Sequence, residues 1–282
     1  MKVIKTIQGL RRELQALWQK GERIGFVPTM GYFHQGHVSL MARSVRENDI
    51  TVVSLFVNPV QFGPTEDLSR YPRDLRRDCA MAKAAGVAVI FIPSVKEMYP
   101  QELSTWVSVN ALSEGLCGAS RPGHFKGVAT VVAKLLNIVQ PDTMYLGAKD
   151  AQQAMVIKKM VCDLNFPARV VVCPTVRERD GLAMSSRNMY LKPDERIAAK
   201  ALSGALFAAK KDILSGERNA LKIISKIKKL ILEETGASIE YVSCVSATDL
   251  KPVRRIKADV LIALAVRFPS ARLIDNQLVI LR

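Results

Sequence analysis

Short apolar runs alternate along this chain with amphipathic stretches and polar turns, a rhythm that predicts an α/β protein. Arg23 to Pro28 reads as a short buried strand, Thr29, Gly31 and Gly36 carry turn chemistry, and helical periodicity begins at Val38 in VSLMARSVREN. The near-continuous run DITVVSLFVNP, stopped by Asn58 and Pro59, predicts a strand covered on both faces, as in a parallel sheet. A helix over RRDCAMAKAAG and a strand at VAVIFIPS repeat the plan, with a Pro- and Gly-rich loop, VQFGPTEDLSRYPRD, before them. Residues 100–127 interrupt it with short strand and turn signals. The helix VATVVAKLLNIVQ, the strand–turn–helix TMYLGAKDAQQAMVIKKM and the strand ARVVVCPTV then resume it. Beyond Lys192 the chain is basic and helical, then strand-like at IEYVSCVSA, DVLIALAVRF and ARLIDNQLVIL. The expectation is a doubly wound parallel-sheet domain over residues 1–175 and a smaller C-terminal α/β domain over 176–282, which opens on the polar loop RERDGLAMSSRNMYL.

Composition narrows the class. With 49% hydrophobic and 24% charged residues the chain can bury a core, which excludes a disordered protein. No apolar run approaches the ~18 residues of a membrane helix, and the N-terminus reads as a strand and an amphipathic helix rather than a signal peptide. A cytoplasmic protein with no membrane partner is expected. The five cysteines are scattered with no C-x-x-C pair, which argues against a disulfide framework or a zinc site. The formal charge of +15 raises the question of nucleic acid. The excess is densest after Leu191, where Lys222, Lys226 and Lys229 follow helical spacing opposite Ile and Leu. Without aromatic interleaving or an Arg-rich arm, that pattern describes a solvated basic face, and no nucleic-acid partner is expected.

The chemistry concentrates in FVPTMGYFHQGHVSL. A strand handing over to a helix through a glycine-bearing turn exposes unpaired amides and the positive end of the helix dipole, a site that favours phosphate. His34 and His37, two of only three histidines, stand three residues apart there, so on a helical turn they share a face. Imidazoles beside an anion site can donate to phosphate oxygens that gain charge in a transition state. Three further polar clusters mark strand ends: N-P-V-Q-F-G, G-A-K-D with Gln152 and Gln153, and M-S-S-R-N. Lys149 suits phosphate as a point charge, Arg187 as a fork, Ser185 and Ser186 as hydroxyl donors, and Asp150 suits ribose hydroxyls. No nucleophilic triad or H-E-x-x-H is present, so catalysis by positioning and charge is expected. Whether a carboxylate or a phosphate attacks the nucleotide stays open at this level.

The H-x-G-H turn with a downstream M-S-S-R loop resembles the nucleotidylyl-transfer superfamily. The motifs V-P-T-M-G, V-V-S-L-F-V-N-P-V-Q-F-G, L-S-R-Y-P-R, S-R-P-G-H-F-K-G-V-A-T-V-V-A-K-L-L-N, G-A-K-D-A-Q-Q, D-G-L-A-M-S-S-R-N and A-R-L-I-D-N are similar, in content and order, to the pantothenate synthetase family. That resemblance implies a Rossmann-like first domain binding ATP and pantoate, Mg²⁺ accompanying the ATP, and a homodimer. It implies attack of pantoate carboxylate on the ATP α-phosphate, then attack of the β-alanine amine on the resulting pantoyl adenylate. Carried over by position, Met30, Gly31, Tyr32, Phe33, His34, Gln35, Gly36 and His37 would line the ATP site, His37 as proton donor and His34 on phosphate. Gly147, Ala148, Lys149, Asp150 and Val176 would hold ribose and adenine, and Met184, Ser185, Ser186 and Arg187 would cover the phosphates. His37, His34, Lys149 and Arg187 would be the catalytic set. Gln61 and Gln153 match the pantoate-binding glutamines, Gln61 also lying near β-alanine, while Met30, Phe62, Val131 and Val132 would flank pantoate's gem-dimethyl carbon. No protein side chain is expected to ligate a metal. The family commonly reads G-E-K-D where this chain has Ala148, and Tyr32 and Phe33 replace the smaller or aliphatic residues often found in the first turn.

Overall fold

The computed structural model describes residues 1–64 and 66–281, which divide into two compact units. The first comprises Met1–Val109, Arg121–Ala148 and Gln153–Pro174; the second comprises Asn110–Ser120, Lys149–Gln152 and the chain from Thr175 onward.

In chain order the elements are β1 (Lys2–Ile4), α1 (Ile7–Gln19), β2 (Ile24–Thr29), α2 (Gln35–Glu47), β3 (Ile50–Leu55), α3 (Leu75–Ala84), β4 (Val89–Phe91) and α4 (Val95–Met98). They continue with α5 (Cys117–Ser120), α6 (His124–Val139), β5 (Thr143–Gly147), α7 (Ala151–Asp163) and β6 (Arg169–Cys173). The six strands form one parallel sheet in the order β1-β4-β3-β2-β5-β6. From β2 the chain works outward to β3 and β4, and from β5 the other way to β6, so the direction of winding reverses between β2 and β5. Ligands of such sheets bind at the carboxyl ends beside that reversal. Val27, Val53 and Ile90 on the strands pack with Phe33, Met41 and Ala82 to cover the α2–α3 face.

Two expectations need correcting. Helix α2 starts at Gln35, three residues ahead of the periodic pattern, because the side chains of His34 and His37 cap it and draw Gly36 into the first turn. The strand signals in residues 100–127 produce no strand among the described residues. Their apolar and turn rhythm finds side-chain partners instead of a ladder: the Val107 amide donates to Thr130 Oγ1 (3.0 Å), and Gln152 takes the Cys117 amide (3.0 Å) while donating to the carbonyls of Leu112 and Gly115 (2.9 and 2.7 Å).

The second unit carries α8 (Pro193–Ala198), α9 (Lys200–Leu214), α10 (Ala220–Thr235), β7 (Ser238–Ser246), β8 (Val260–Arg267) and β9 (Arg272–Val279). The strands form an antiparallel sheet with β8 central, which is why its run VLIALAV is buried throughout. Leu206, Ile213, Ile227 and Ile231 of α9 and α10 pack against Ile262 and Leu264. Lys222 and Lys226 are exposed and meet Glu217 (2.7 Å) and Asp212 (2.6 Å). Among the described residues no helix is long and apolar enough to cross a membrane.

Candidate active site

At the end of β2 the Thr29 hydroxyl donates to the Ser54 carbonyl of β3 (2.7 Å), and its oxygen accepts from the Gly31 amide (3.3 Å). Gly31 (φ +88°) and Tyr32 (φ +51°) then take left-handed conformations in succession and turn the chain toward α2. Glycine adopts that region freely, whereas a residue with a Cβ does so at roughly 1–2 kcal/mol. The turn is held from α3: the two carboxylate oxygens of Asp78, which is 1% exposed, accept from the Tyr32 and Phe33 amides at 2.7 Å each. Burial pushes this carboxyl up from its ordinary value, with the two amide bonds acting in the opposite direction.

His34 is the N-cap of α2. Its Nδ1 accepts from the Gly36 amide (3.1 Å), and the Nδ1 of His37 accepts from the His34 amide (3.3 Å), a capping box made of two imidazoles. A neutral ring whose Nδ1 accepts carries its proton on Nε2. The ring centroids lie 4.1 Å apart, so the pair anticipated from spacing is a real pair at the amino end of a helix. Phe33 packs beneath His37 at 5.5 Å.

The chain after β3 makes a 3-10 turn, Pro59–Gln61, that buries Gln61. Its Oε1 accepts from Asn58 Nδ2 (3.0 Å), and Asn58 Oδ1 accepts from the Tyr99 hydroxyl (2.7 Å). Burial pushes the Tyr99 phenol up to about 12, so it stays a donor near neutrality. This relay fixes the amide so that Gln61 Nε2 faces Met30 Sδ (3.2 Å). Helix α6 crosses directly on the turn at Gly127, where a Cβ would fall 2.4 Å from the Val60 carbonyl oxygen; only a hydrogen fits. His124 donates from Nδ1 to the Gln61 carbonyl (2.9 Å) and accepts at Nε2 from Arg121 (3.0 Å), which forks onto Glu66 (2.6 and 2.5 Å). Val131, one helical turn beyond Gly127, and Val132 are both buried, Phe62 is half-buried against Tyr71, and Gln153 is half-buried in the first turn of α7.

In the second unit, Lys149 and Asp150 lie on the 3-10 turn Ala148–Asp150 that follows Gly147. Lys149 Nζ is 3.8 Å from the exposed Asp150 carboxylate, and the Lys149 carbonyl accepts from Asn276 Nδ2 (2.8 Å). Val176 and Met184 close a hairpin, the Met184 amide donating to the Val176 carbonyl (3.0 Å). Arg177 inside it forks onto Asp275 (2.7 and 3.0 Å) and donates to the Gly181 carbonyl (3.0 Å). Ser185 Oγ then accepts from the Arg187 amide (3.3 Å) and starts the 3-10 turn Ser186–Tyr190. Asp275 and Asn276, adjacent on β9, thereby tie down the Arg177 hairpin and the Lys149 turn.

Asp78, Asn58, Tyr99, Arg121, His124, Asp275 and Asn276 were outside the residues expected from sequence. Five of these had a signal: Asn58 in V-N-P-V-Q-F-G, Arg121 and His124 in S-R-P-G-H-F-K-G, and Asp275 and Asn276 in A-R-L-I-D-N; Asp78 and Tyr99 had none.

The sequence profile described as pantoate-beta-alanine ligase matches residues 2–278. The chain belongs to the pantoate–β-alanine ligase family. Its reaction is the ATP-dependent joining of pantoate to β-alanine to form pantothenate. Among relatives, the pantothenate synthetase of Acetivibrio thermocellus is 56% identical over 279 residues, covering 99% of both chains. The crystal structure of pantothenate synthetase from Thermus thermophilus superposes with a TM-score of 0.93 at 46% identity, covering 98% of this chain and 99% of that one. The ligase of Francisella tularensis, solved in complex with beta-gamma ATP and beta-alanine, gives 0.81 at 35% identity, covering 99% and 97%. The six-stranded parallel sheet and the small antiparallel sheet are thus the architecture of this ligase family.

Proposed function

We propose that the reaction runs in two steps through pantoyl adenylate, with ATP bound along Met30–His37. A pantoate carboxylate oxygen forms a bond to the α-phosphorus as the bond to pyrophosphate breaks. The β-alanine amine then attacks the acyl carbon and AMP leaves. The observation that carries this reading is the imidazole capping box: both Nδ1 atoms accept from the backbone, so in the neutral tautomer the proton of each ring sits on Nε2, the atom that would meet phosphate oxygens. His37 faces the leaving pyrophosphate in this reading, and His34 steadies the triphosphate beside it. Lys149 and Arg187 are the second unit's cations for phosphate. Gly147–Asp150 and Val176 hold ribose and adenine, and Met184–Arg187 cover the phosphates.

For pantoate, Gln61 is the best-supported residue, because its carbonyl is occupied by Asn58 and its NH₂ is directed toward Met30. With Gln153 it would bind the hydroxyls and carboxylate, while Met30, Phe62, Val131 and Val132 meet the gem-dimethyl carbon; Gln61 also serves β-alanine. Functionally, residues 1–175 would bind ATP and pantoate, and 176–282 would supply the Met184–Arg187 segment. Mg²⁺ enters with the triphosphate, since this hard cation prefers phosphate oxygens and water. Among the described residues no three His, Cys, Asp or Glu side chains gather around a common point that could hold it. The unpaired thiols of all five cysteines suit a cytoplasmic enzyme. The resemblance to the family supports a homodimer.

The test is incubation with ATP, Mg²⁺ and pantoate, with and without β-alanine. Pantoate-dependent pyrophosphate release without amine, and AMP release that requires β-alanine, are expected. AMP formation indifferent to both acids would refute the two-step reading.

A further inference from the structure

Asp78 is nearly inaccessible, and both its oxygens are committed to amides 46 and 45 residues earlier in the chain. A carboxylate is costly to bury, and an apolar residue would fill this position on α3 without that cost. What the carboxylate does is hold the Tyr32–Phe33 backbone, immediately ahead of the His34 cap. Phe33 is anchored in the core, and the more open part of the turn is at Gly31 and Tyr32. A cavity of about 320 Å³ backs it, lined by Met30, Gly31, Tyr32, Leu55, Ile92 and Val95 among others. Toward α3 the Tyr32 ring meets the Arg77 guanidinium at 5.0 Å. Two charge-assisted hydrogen bonds to the Asp78 carboxylate, one from the left-handed Tyr32 and one from Phe33, thus fix the backbone of the turn. The path onward is short. Phe33 precedes His34, and the His34 amide is bonded to the His37 ring, so rotation at Phe33 displaces both imidazoles together.

We infer that Asp78 is a positioning residue for the ATP half of the reaction: by clamping the Tyr32 and Phe33 amides it sets where the His34 and His37 Nε2–H donors meet the triphosphate. It touches no reacting atom. The inference rests on the proposed role of the two histidines.

Asp78→Asn keeps the side-chain volume but turns an NH₂ toward one of the two amide donors, which removes one bond. Single-turnover pyrophosphate release is expected to slow by about 10²-fold, the scale of a small misplacement of catalytic groups, while the amine step from preformed pantoyl adenylate stays within about threefold. Glycine accepts the left-handed backbone unaided, so Tyr32→Gly added to Asp78→Asn is expected to recover about threefold or more of the lost rate. Equal slowing of both half-reactions, or no recovery with Tyr32→Gly, would overturn the inference, since either marks a general structural role. Should Asp78→Asn not fold, amide exchange on the unaltered chain decides. Protection of the Tyr32 and Phe33 amides by about 10²-fold or more supports the clamp, and exchange at free-peptide rates rejects it. His37→Ala separates the two readings. Full activity there removes the histidine role itself, whereas an impaired His37→Ala beside a normal Asp78→Asn removes only the clamp.

Discussion

Each unit places a nearly inaccessible aspartate behind its candidate phosphate-binding side chains, and the two aspartates work differently. Asp78 meets neutral amides and shapes a turn; Asp275 meets the Arg177 guanidinium and ties a hairpin to β9. In the first unit the carboxylate controls a backbone on which two imidazoles ride. In the second it neutralises a cation, while its neighbour Asn276 holds the Lys149 carbonyl. Altering the first unit's polar groups should therefore register in the rate of adenylate formation, and altering the second unit's ion pairs should register first in stability.

The largest effect that could break this contrast is His37→Ala, for which turnover should fall by ~10²–10⁴, the range for a lost acid or a lost charge-stabilising donor. A variant within about threefold of the parent would remove His37 from the mechanism. Next comes Asp275→Ala, which leaves a guanidinium that is 17% exposed without its carboxylate. Unfolding in urea should show a loss of about 3 kcal/mol, since stripping one partner from a buried pair strands the other. A change below about 0.5 kcal/mol, typical of an ordinary surface substitution, would show that the pair is not what secures the hairpin.

The smallest effect sharpens the picture of the second sheet. Burial alone would raise the Glu240 carboxyl, but hydrogen bonds from Arg272 and the charges of Arg272 and Arg267 outweigh it and hold it at about 2. Because that lies below the ordinary 4.5, ionised Glu240 stabilises the sheet above pH 4.5, and this contribution drains away as pH falls toward 2. Screening at a partly exposed site limits it to about 2 kcal/mol. Thermal midpoints of the parent and Glu240→Gln should differ at neutral pH and converge in acid; parallel curves would contradict the assignment.

Much of the parallel sheet was legible because each strand is a compact apolar run and each crossover helix has its own period. The histidine pair was legible for the same local reason, a three-residue spacing at a strand-to-helix junction. The supports of these groups were not. Asp78 sits in R-R-D-C-A, where an acidic residue on a helix ordinarily reads as solvated surface, and nothing local announces partners 45 residues away. Asn276 and Lys149 are separated by 127 residues. The WVSVNALSEG segment misled because side chains of Thr130 and Gln152 satisfy its backbone where a neighbouring strand was expected.

Capping by imidazoles has a structural corollary. Replacing either ring removes an acceptor from an amide that opens α2, and the first turn of the helix loses a bond that starts it. Fraying of that turn and displacement of the remaining ring would then arrive as one event.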